Sequence, residues 1–278
     1  MSGLASWGFA EGDPITAELT AVRRLGGGSG YEAYLAFDEV TYGPVVVKVV
    51  RPDQVADEHS LRGLAGEVEA LATVNHPVVV RGLRHELTGD RPHVVLEQLD
   101  GPRLSTLVRR YGPLQEQQYL PLAIELASAL HYLCRIGWVH LDLKPSNVIM
   151  GAPARLIDLS VARPVDDAAG TRRIGTDAYM SPEQWDPERY GVPTPSSDVW
   201  GLGATLFEAV AGYRAVDLPT EEPAEMPDHV PSEVVKTITA CLELRPEDRP
   251  APHEVAEALE PVLDRQPPVR LGGALRTR

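Results

Sequence analysis

The sequence predicts an α+β protein of two lobes, a small antiparallel β-sheet with one helix followed by a larger, mainly helical part. Three observations carry this. The first hundred residues hold short β-branched runs punctuated by Gly, Pro and Asn turns. Beyond Asp100 to Pro102, apolar residues instead recur at spacings of three and four over long stretches. The 278 residues, 43% hydrophobic and 24% charged, suffice for a sizeable core and differ from disordered or membrane-spanning compositions.

In order, Val22 to Ala36 reads as strand, Gly-rich turn and strand, and Pro44 to Val50 as an apolar strand carrying one charge, Lys48. Leu61 to Val74 has helical periodicity through Leu61, Leu64, Val68 and Leu71, then the turn Asn75-His76-Pro77 leads to strand-like runs Val78 to Leu87 and His93 to Leu99. Helices follow at Leu104 to Tyr111 and Gln115 to Ile136, and short strands Val148 to Met150 and Arg155 to Ile157 frame a loop. Asp198 to Ala211 is apolar nearly all round, the pattern of a helix inside a lobe. Two more helices are expected at Ser232 to Leu244 and Pro252 to Leu263. This divides the chain into an N-terminal extension (1–19), a small lobe (20–99), a large lobe (100–264) and a basic, flexible tail (265–278).

The formal charge of −14 leaves no broad basic surface, which argues against a nucleic-acid partner. No stretch reaches about 18 uninterrupted apolar residues, and Met1 to Asp13 lacks a basic region followed by an apolar core. A cytoplasmic protein with no membrane partner is expected. Cys134 and Cys241 sit in apolar helical patterns and read as buried free thiols rather than a disulfide or zinc framework. Of 26 basic residues only Lys48, Lys144 and Lys236 are lysines, and Asn75 and Asn147 are the only asparagines. A chain that uses arginine almost everywhere raises the question of where a compact ammonium was needed.

Leu25-Gly26-Gly27-Gly28-Ser29-Gly30 lies between two strands, where glycines let backbone N–H groups approach a phosphate; alone, such a cluster is more often just a turn. Lys48, flanked by valines, needs an anionic partner, with Glu67 on the next helix as the natural one and Glu69 as competitor. The most informative segment is Val139-His140-Leu141-Asp142-Leu143-Lys144-Pro145-Ser146-Asn147, followed by Leu156-Ile157-Asp158-Leu159-Ser160. Asp142, Lys144, Asn147 and Asp158 supply a base, a phosphate-facing cation and two magnesium ligands.

With these segments the sequence resembles the eukaryotic-type serine/threonine protein kinase family, in the bacterial form of a single kinase domain. The likeness continues through Gly175 to Glu183, Ser197-Asp198-Val199-Trp200-Gly201 and Arg249, and covers roughly Thr20 to Asp264. It implies the bilobal protein-kinase-like fold and an ATP- and Mg2+-dependent transfer of phosphate to protein Ser/Thr hydroxyls, autophosphorylation included. Gly26, Gly27 and Gly28 would cover the phosphates, and Lys48 would hold them while pairing with Glu67. Asn147 and Asp158 would bind magnesium, Asp142 would accept the hydroxyl proton, and Lys144 would steady the γ-phosphoryl group. Glu97 to Leu99 would be the adenine-binding hinge, with Leu96 at the back wall and Ala33 and Val46 in the roof. Glu183 would pair with Arg249. Back-to-back pairing is common among bacterial members, so the partners allowed are a protein substrate and a second copy of the chain.

Several positions depart from the family pattern. Tyr31 stands where a third glycine is usual, and its ring could stiffen the loop or approach the phosphates. Ala33 and Val46 exchange the usual sizes, which conserves roof volume. Leu141 replaces the arginine that in many relatives grips a phosphorylated activation segment, so activity should depend little on Thr171, the main candidate loop site. Ser160 replaces a glycine and restricts the backbone there. An active kinase and a pseudokinase serving as a nucleotide- or partner-binding module both remain open. The complete Thr176 to Glu183 segment, a floor for a peptide substrate in the family, argues against a small-molecule phosphotransferase.

Overall fold

The computed structural model describes residues 5–168, 173–219 and 221–266. Five strands form an antiparallel sheet: β1 (Leu19–Gly27), β2 (Tyr31–Asp38), β3 (Gly43–Val50), β4 (Gly82–Glu86) and β5 (His93–Glu97), in spatial order β1-β2-β3-β5-β4. The valine run of β3 shows why a nearly continuous apolar strand can carry a lysine. Alternation puts Val45, Val47 and Val49 into one cluster with Ile15, Leu19 and Tyr34, while Val46 and Lys48 face the other side. On that second side packs α1 (Glu58–Thr73), N-capped by the Asp57 carboxylate accepting from the Ser60 N–H at 2.8 Å, with Leu64 and Glu67 buried.

The larger part is helical. It comprises α2 (Leu104–Tyr111), α3 (Glu116–Arg135), short pairs β6 (Trp138–Val139) with β9 (Arg163–Pro164) and β7 (Val148–Ile149) with β8 (Arg155–Leu156), and the one-turn helices α4 (Val165–Ala168), α5 (Pro182–Trp185) and α6 (Pro187–Tyr190). The longer α7 (Pro195–Ala211), α8 (Ser232–Cys241) and α9 (Pro252–Asp264) complete it. As its all-round apolar pattern predicts, α7 lies inside the lobe, with Trp200 fully buried. A Cβ on Gly203 would stand 2.7 Å from Cys241 Cβ, so glycine is what lets α7 and α8 approach this closely. α7 ends at Gly212 in the left-handed conformation (φ +84°).

The expected elements occur, but α1 and α7 begin a turn earlier than apolar periodicity indicates, at the caps Asp57 and Thr194, and the run Val78 to Leu87 is a strand only over Gly82–Glu86 because residues 78–80 turn to β8. Cys241 is buried as expected, but Cys134 is exposed: the buried stripe of α3 ends at Leu133, in the helix's last turn. No described helix is long and apolar enough to cross a membrane. The lobes meet through β5 and through residues 78–80, which form a parallel bridge with β8: the Leu156 N–H donates to Val78 O at 2.6 Å and the Val80 N–H to Leu156 O at 2.9 Å.

Candidate active site

Between the lobes lies a cleft of about 600 Å³. The glycines 26–28, Ala33 and Val46 line it from the sheet, Leu96, Glu97 and Leu99 from the connection, and Lys144, Asn147 and Asp158 from the helical lobe. Residues chosen from motifs spread over more than a hundred positions therefore converge on one cavity. Gly27 explains the glycine run best. Its φ is +155° and a Cβ there would lie 2.4 Å from Tyr31 O, so no side chain fits.

Lys48 is the centre of the charged network. Its Nζ donates to Glu67 Oε2 at 2.7 Å and Asp158 Oδ1 at 2.9 Å, which settles the partner as Glu67 rather than Glu69. Burial opposes the Lys48 charge, but the carboxylates of Glu67 and Asp158 outweigh it and raise the lysine above its ordinary range. Asp158 is likewise opposed by burial and held below the usual carboxylate range by Lys48. Its backbone adopts a left-handed φ of +68°, a strained conformation for a non-glycine residue. The Ser160 N–H reaches back to Asp158 Oδ1 at 3.4 Å.

Asp142 forms a second cluster. Lys144 Nζ donates to its Oδ2 at 2.6 Å and also to Thr176 Oγ1, and the Thr176 hydroxyl donates to Asp142 Oδ1 at 2.8 Å. Asn147 Nδ2 donates to Asp142 O and Oδ2, both at 3.0 Å, which leaves the Asn147 amide oxygen as the atom available to a hard cation. Among the described residues no three His, Cys, Asp or Glu side chains gather as a self-sufficient metal site. The pair Asn147 and Asp158 instead suits a magnesium ion that completes its shell with phosphate oxygens and water.

The supporting bonds were less visible in the sequence. Leu141 has a left-handed φ of +62°, and the buried Asp198 holds that turn by accepting from the His140 and Leu141 N–H groups, each at 2.7 Å. The Leu141 side chain packs with Val139, Ala168, Val161 and Val165, so an apolar cluster stands where an arginine could have met a phosphate. Glu183 and Arg249 form the expected pair, two bonds of 2.7 and 2.9 Å with no side-chain exposure, and Ser197 Oγ adds a third bond to Glu183 at 2.7 Å. Glu97 is held on both sides: its carboxylate accepts from Arg155 and from the Arg81 N–H at 2.8 Å, and its own N–H is spent on Arg81 O. Tyr31 turns away from the loop tip. Its hydroxyl donates to Ser60 O on α1 at 2.5 Å, and its ring stands 5.0 Å from Lys48 Nζ. Thr171 lies outside the described residues.

Comparison with known proteins agrees with this geometry. Residues 19–259 match the model of the protein kinase domain. The chain is 34% identical over 251 residues to the probable serine/threonine-protein kinase PkwA of Thermomonospora curvata, covering 86% of this chain and 33% of that protein. It is 32% identical over 198 residues to the serine/threonine-protein kinase PknB of Mycobacterium leprae (68% of this chain, 31% of PknB). It is also 32% identical over 289 residues to the serine/threonine-protein kinase PknK of Mycobacterium tuberculosis (93% of this chain, 25% of PknK). The chain thus spans about a third or less of the length of these relatives. On the family match and these identities, the chain belongs to the protein kinase domain family.

Proposed function

We propose that this chain is an active, magnesium-dependent serine/threonine protein kinase that moves the γ-phosphoryl group of ATP to a protein hydroxyl, its own included. One observation carries the reading: Lys48, Glu67 and Asp158 line a cleft roofed by glycines, and the Asp142 and Thr176 cluster adjoins the same cleft through its bonds to Lys144 and Asn147, which line it. Adenine would lie between Ala33 and Val46 above and Ile149 and Ile157 below, reaching the backbone of Glu97 to Leu99. Because the Glu97 N–H is already bonded to Arg81 O, Glu97 offers its carbonyl and Leu99 its own polar backbone groups.

Magnesium bound by Asp158 and Asn147 would neutralise charge on the phosphates. Lys48, kept protonated by two carboxylates, orients phosphate oxygens from the other side. Asp142 receives the proton of the attacking hydroxyl as its oxygen bonds to the γ-phosphorus and the bond to the bridging oxygen of ADP breaks. The Thr176 hydroxyl, seated between Asp142 and Lys144, supports the view that this pair accommodates an alcohol oxygen. The departures at Tyr31, Leu141 and Ser160 leave each charge-handling side chain in place, so no observation favours the pseudokinase reading. The two free cysteines suit a reducing cytoplasm.

The test is incubation with γ-labelled ATP, magnesium and a generic protein acceptor, followed by acid hydrolysis. Label on phosphoserine or phosphothreonine is expected. Label on tyrosine, or none, contradicts the reading.

A further inference from the structure

The family match begins at residue 19, yet the segment before it is built into the small lobe. Ser6 Oγ donates to Glu32 Oε1 at 2.6 Å, the Trp7 N–H to Glu32 Oε2 at 2.9 Å, and the Trp7 indole N–H to Val50 O at 2.7 Å. The Trp7 and Phe9 rings stack at 5.9 Å, and the Arg91 guanidinium lies over both at 5.1 and 5.0 Å. Both rings pack against the outer-face core of the sheet.

Glu32 gives these contacts their meaning. It is fully buried on β2, directly after Tyr31 at the exit of the glycine-rich turn, and a buried carboxylate is costly unless its oxygens are filled. Ser6 and Trp7 supply two of its donors; Arg24 at 3.0 Å, Tyr34 at 3.2 Å and Arg51 at 3.4 Å supply others. Arg51, itself 3% exposed, passes the connection on. Its Nη1 donates to Ala5 O at 2.6 Å, its Nε to Gly28 O at 2.7 Å, and its backbone N–H to Gly30 O at 3.0 Å. Hydrogen bonds therefore run without a break from the N-terminal segment through Glu32 and Arg51 to the carbonyls of the turn.

We propose that residues 5–9 are a positioning strap for the glycine-rich turn: by filling Glu32 and Arg51 they hold Arg51 on Gly28 and Gly30 and set the turn for nucleotide phosphates. This rests on the nucleotide-binding reading above. The turn consists of four glycines and a serine and is entropically expensive to order. With the strap removed, the nucleotide must supply that ordering itself, so affinity falls while the Asp142 cluster, in the other lobe, is untouched.

The test compares the full chain with its Ser6→Ala/Trp7→Ala double variant and with the milder Trp7→Phe, which keeps a ring but loses the indole bond to Val50. Magnesium-ADP affinity is measured by calorimetry, KM for ATP is separated from kcat, and hydrogen exchange is followed at the Gly28 and Arg51 amides, bonded here to Tyr31 O and Gly30 O. The double variant is expected to weaken ADP binding and raise KM roughly tenfold, with kcat nearly unchanged and both amides exchanging faster. Trp7→Phe should move all of these in the same direction by less. Should the double variant fail to fold, Trp7→Phe decides. Unaltered ADP affinity and unaltered exchange at Gly28 in a folded variant overturn the strap. A wild-type chain that binds no ADP overturns the functional reading instead, and the exchange data still decide whether residues 5–9 hold the turn.

Discussion

Lys48 Nζ stands 2.7 Å from Glu67 Oε2, joining the third strand of the sheet to the helix behind it, and the two side chains are only 15% and 1% exposed. A buried ammonium and carboxylate in contact each make the other tolerable, and removing one strands its partner. Lys48→Met should therefore leave Glu67 uncompensated and lower kcat/KM for ATP roughly a hundredfold or more. Glu67→Gln, which keeps a hydrogen-bond acceptor while Asp158 still faces the lysine, should cost less. Steady-state kinetics on the two variants checks the order; equal losses contradict it.

Tyr31 ties the same helix to the sheet from the other end. A Cβ on Gly63 would stand 2.6 Å from the Tyr31 hydroxyl, which bonds to Ser60 O. Gly63→Ala should therefore force that hydroxyl out and destabilise the protein by about 1 to 3 kcal/mol, an effect that Tyr31→Phe, with no hydroxyl to displace, should partly remove. Denaturant unfolding of both single variants and the double variant gives the coupling. Strict additivity contradicts the contact.

Leu141 lies in an apolar cluster with Val139 and Ala168 and offers no charge to a phosphorylated loop. Thr171→Ala should therefore leave phosphotransfer unchanged within assay scatter, and a large fall contradicts this. Leu141→Arg should lower the melting temperature instead of creating a phosphate receptor, because it buries a guanidinium among the apolar side chains of that cluster.

The pattern of what could be read in advance follows from the range of each interaction. A lone lysine in a valine run calls for an anionic partner, and the next helix offers Glu67; both are local signals, and the two residues meet as expected. The catalytic-loop residues were legible because their spacing is itself a motif. Asp198 is legible in the sequence only as part of a motif, since its bonds to the His140 and Leu141 backbone span more than fifty positions. Arg155 on Glu97, and Ser6 and Trp7 on Glu32, have no periodic signature at all. Cys134 failed for the opposite reason: its local pattern reads as apolar, but the lobe's core ends before it does. The scarcity of lysine proved informative, since Lys48 and Lys144 both line the cleft while Lys236 is exposed on α8.

Acid should loosen the small lobe at Asp38. Its fully buried carboxylate takes Arg84 Nη1 at 2.7 Å and Nη2 at 2.5 Å, and these bonds hold it well below the usual carboxylate range. A depressed folded-state value means the stabilisation is complete above the unfolded value of about 3.9 and is lost as pH falls below it toward the folded one. Melting temperature should therefore begin to drop as pH falls below about 4 and keep dropping further into the acid range, and Asp38→Asn should be less stable at neutral pH but show a shallower drop. An identical slope in both proteins contradicts the assignment.

The most direct test is the rate of γ-phosphate transfer from labelled ATP by the wild-type chain and by Asp142→Asn, with magnesium-ADP binding measured on both. Asn keeps the size and the contact with Lys144 but cannot accept a proton. Transfer should fall by about a hundredfold to ten-thousandfold while ADP affinity stays within a factor of about three. Equal transfer rates, or no transfer by the wild type despite nucleotide binding, would contradict the account of a working phosphotransfer site.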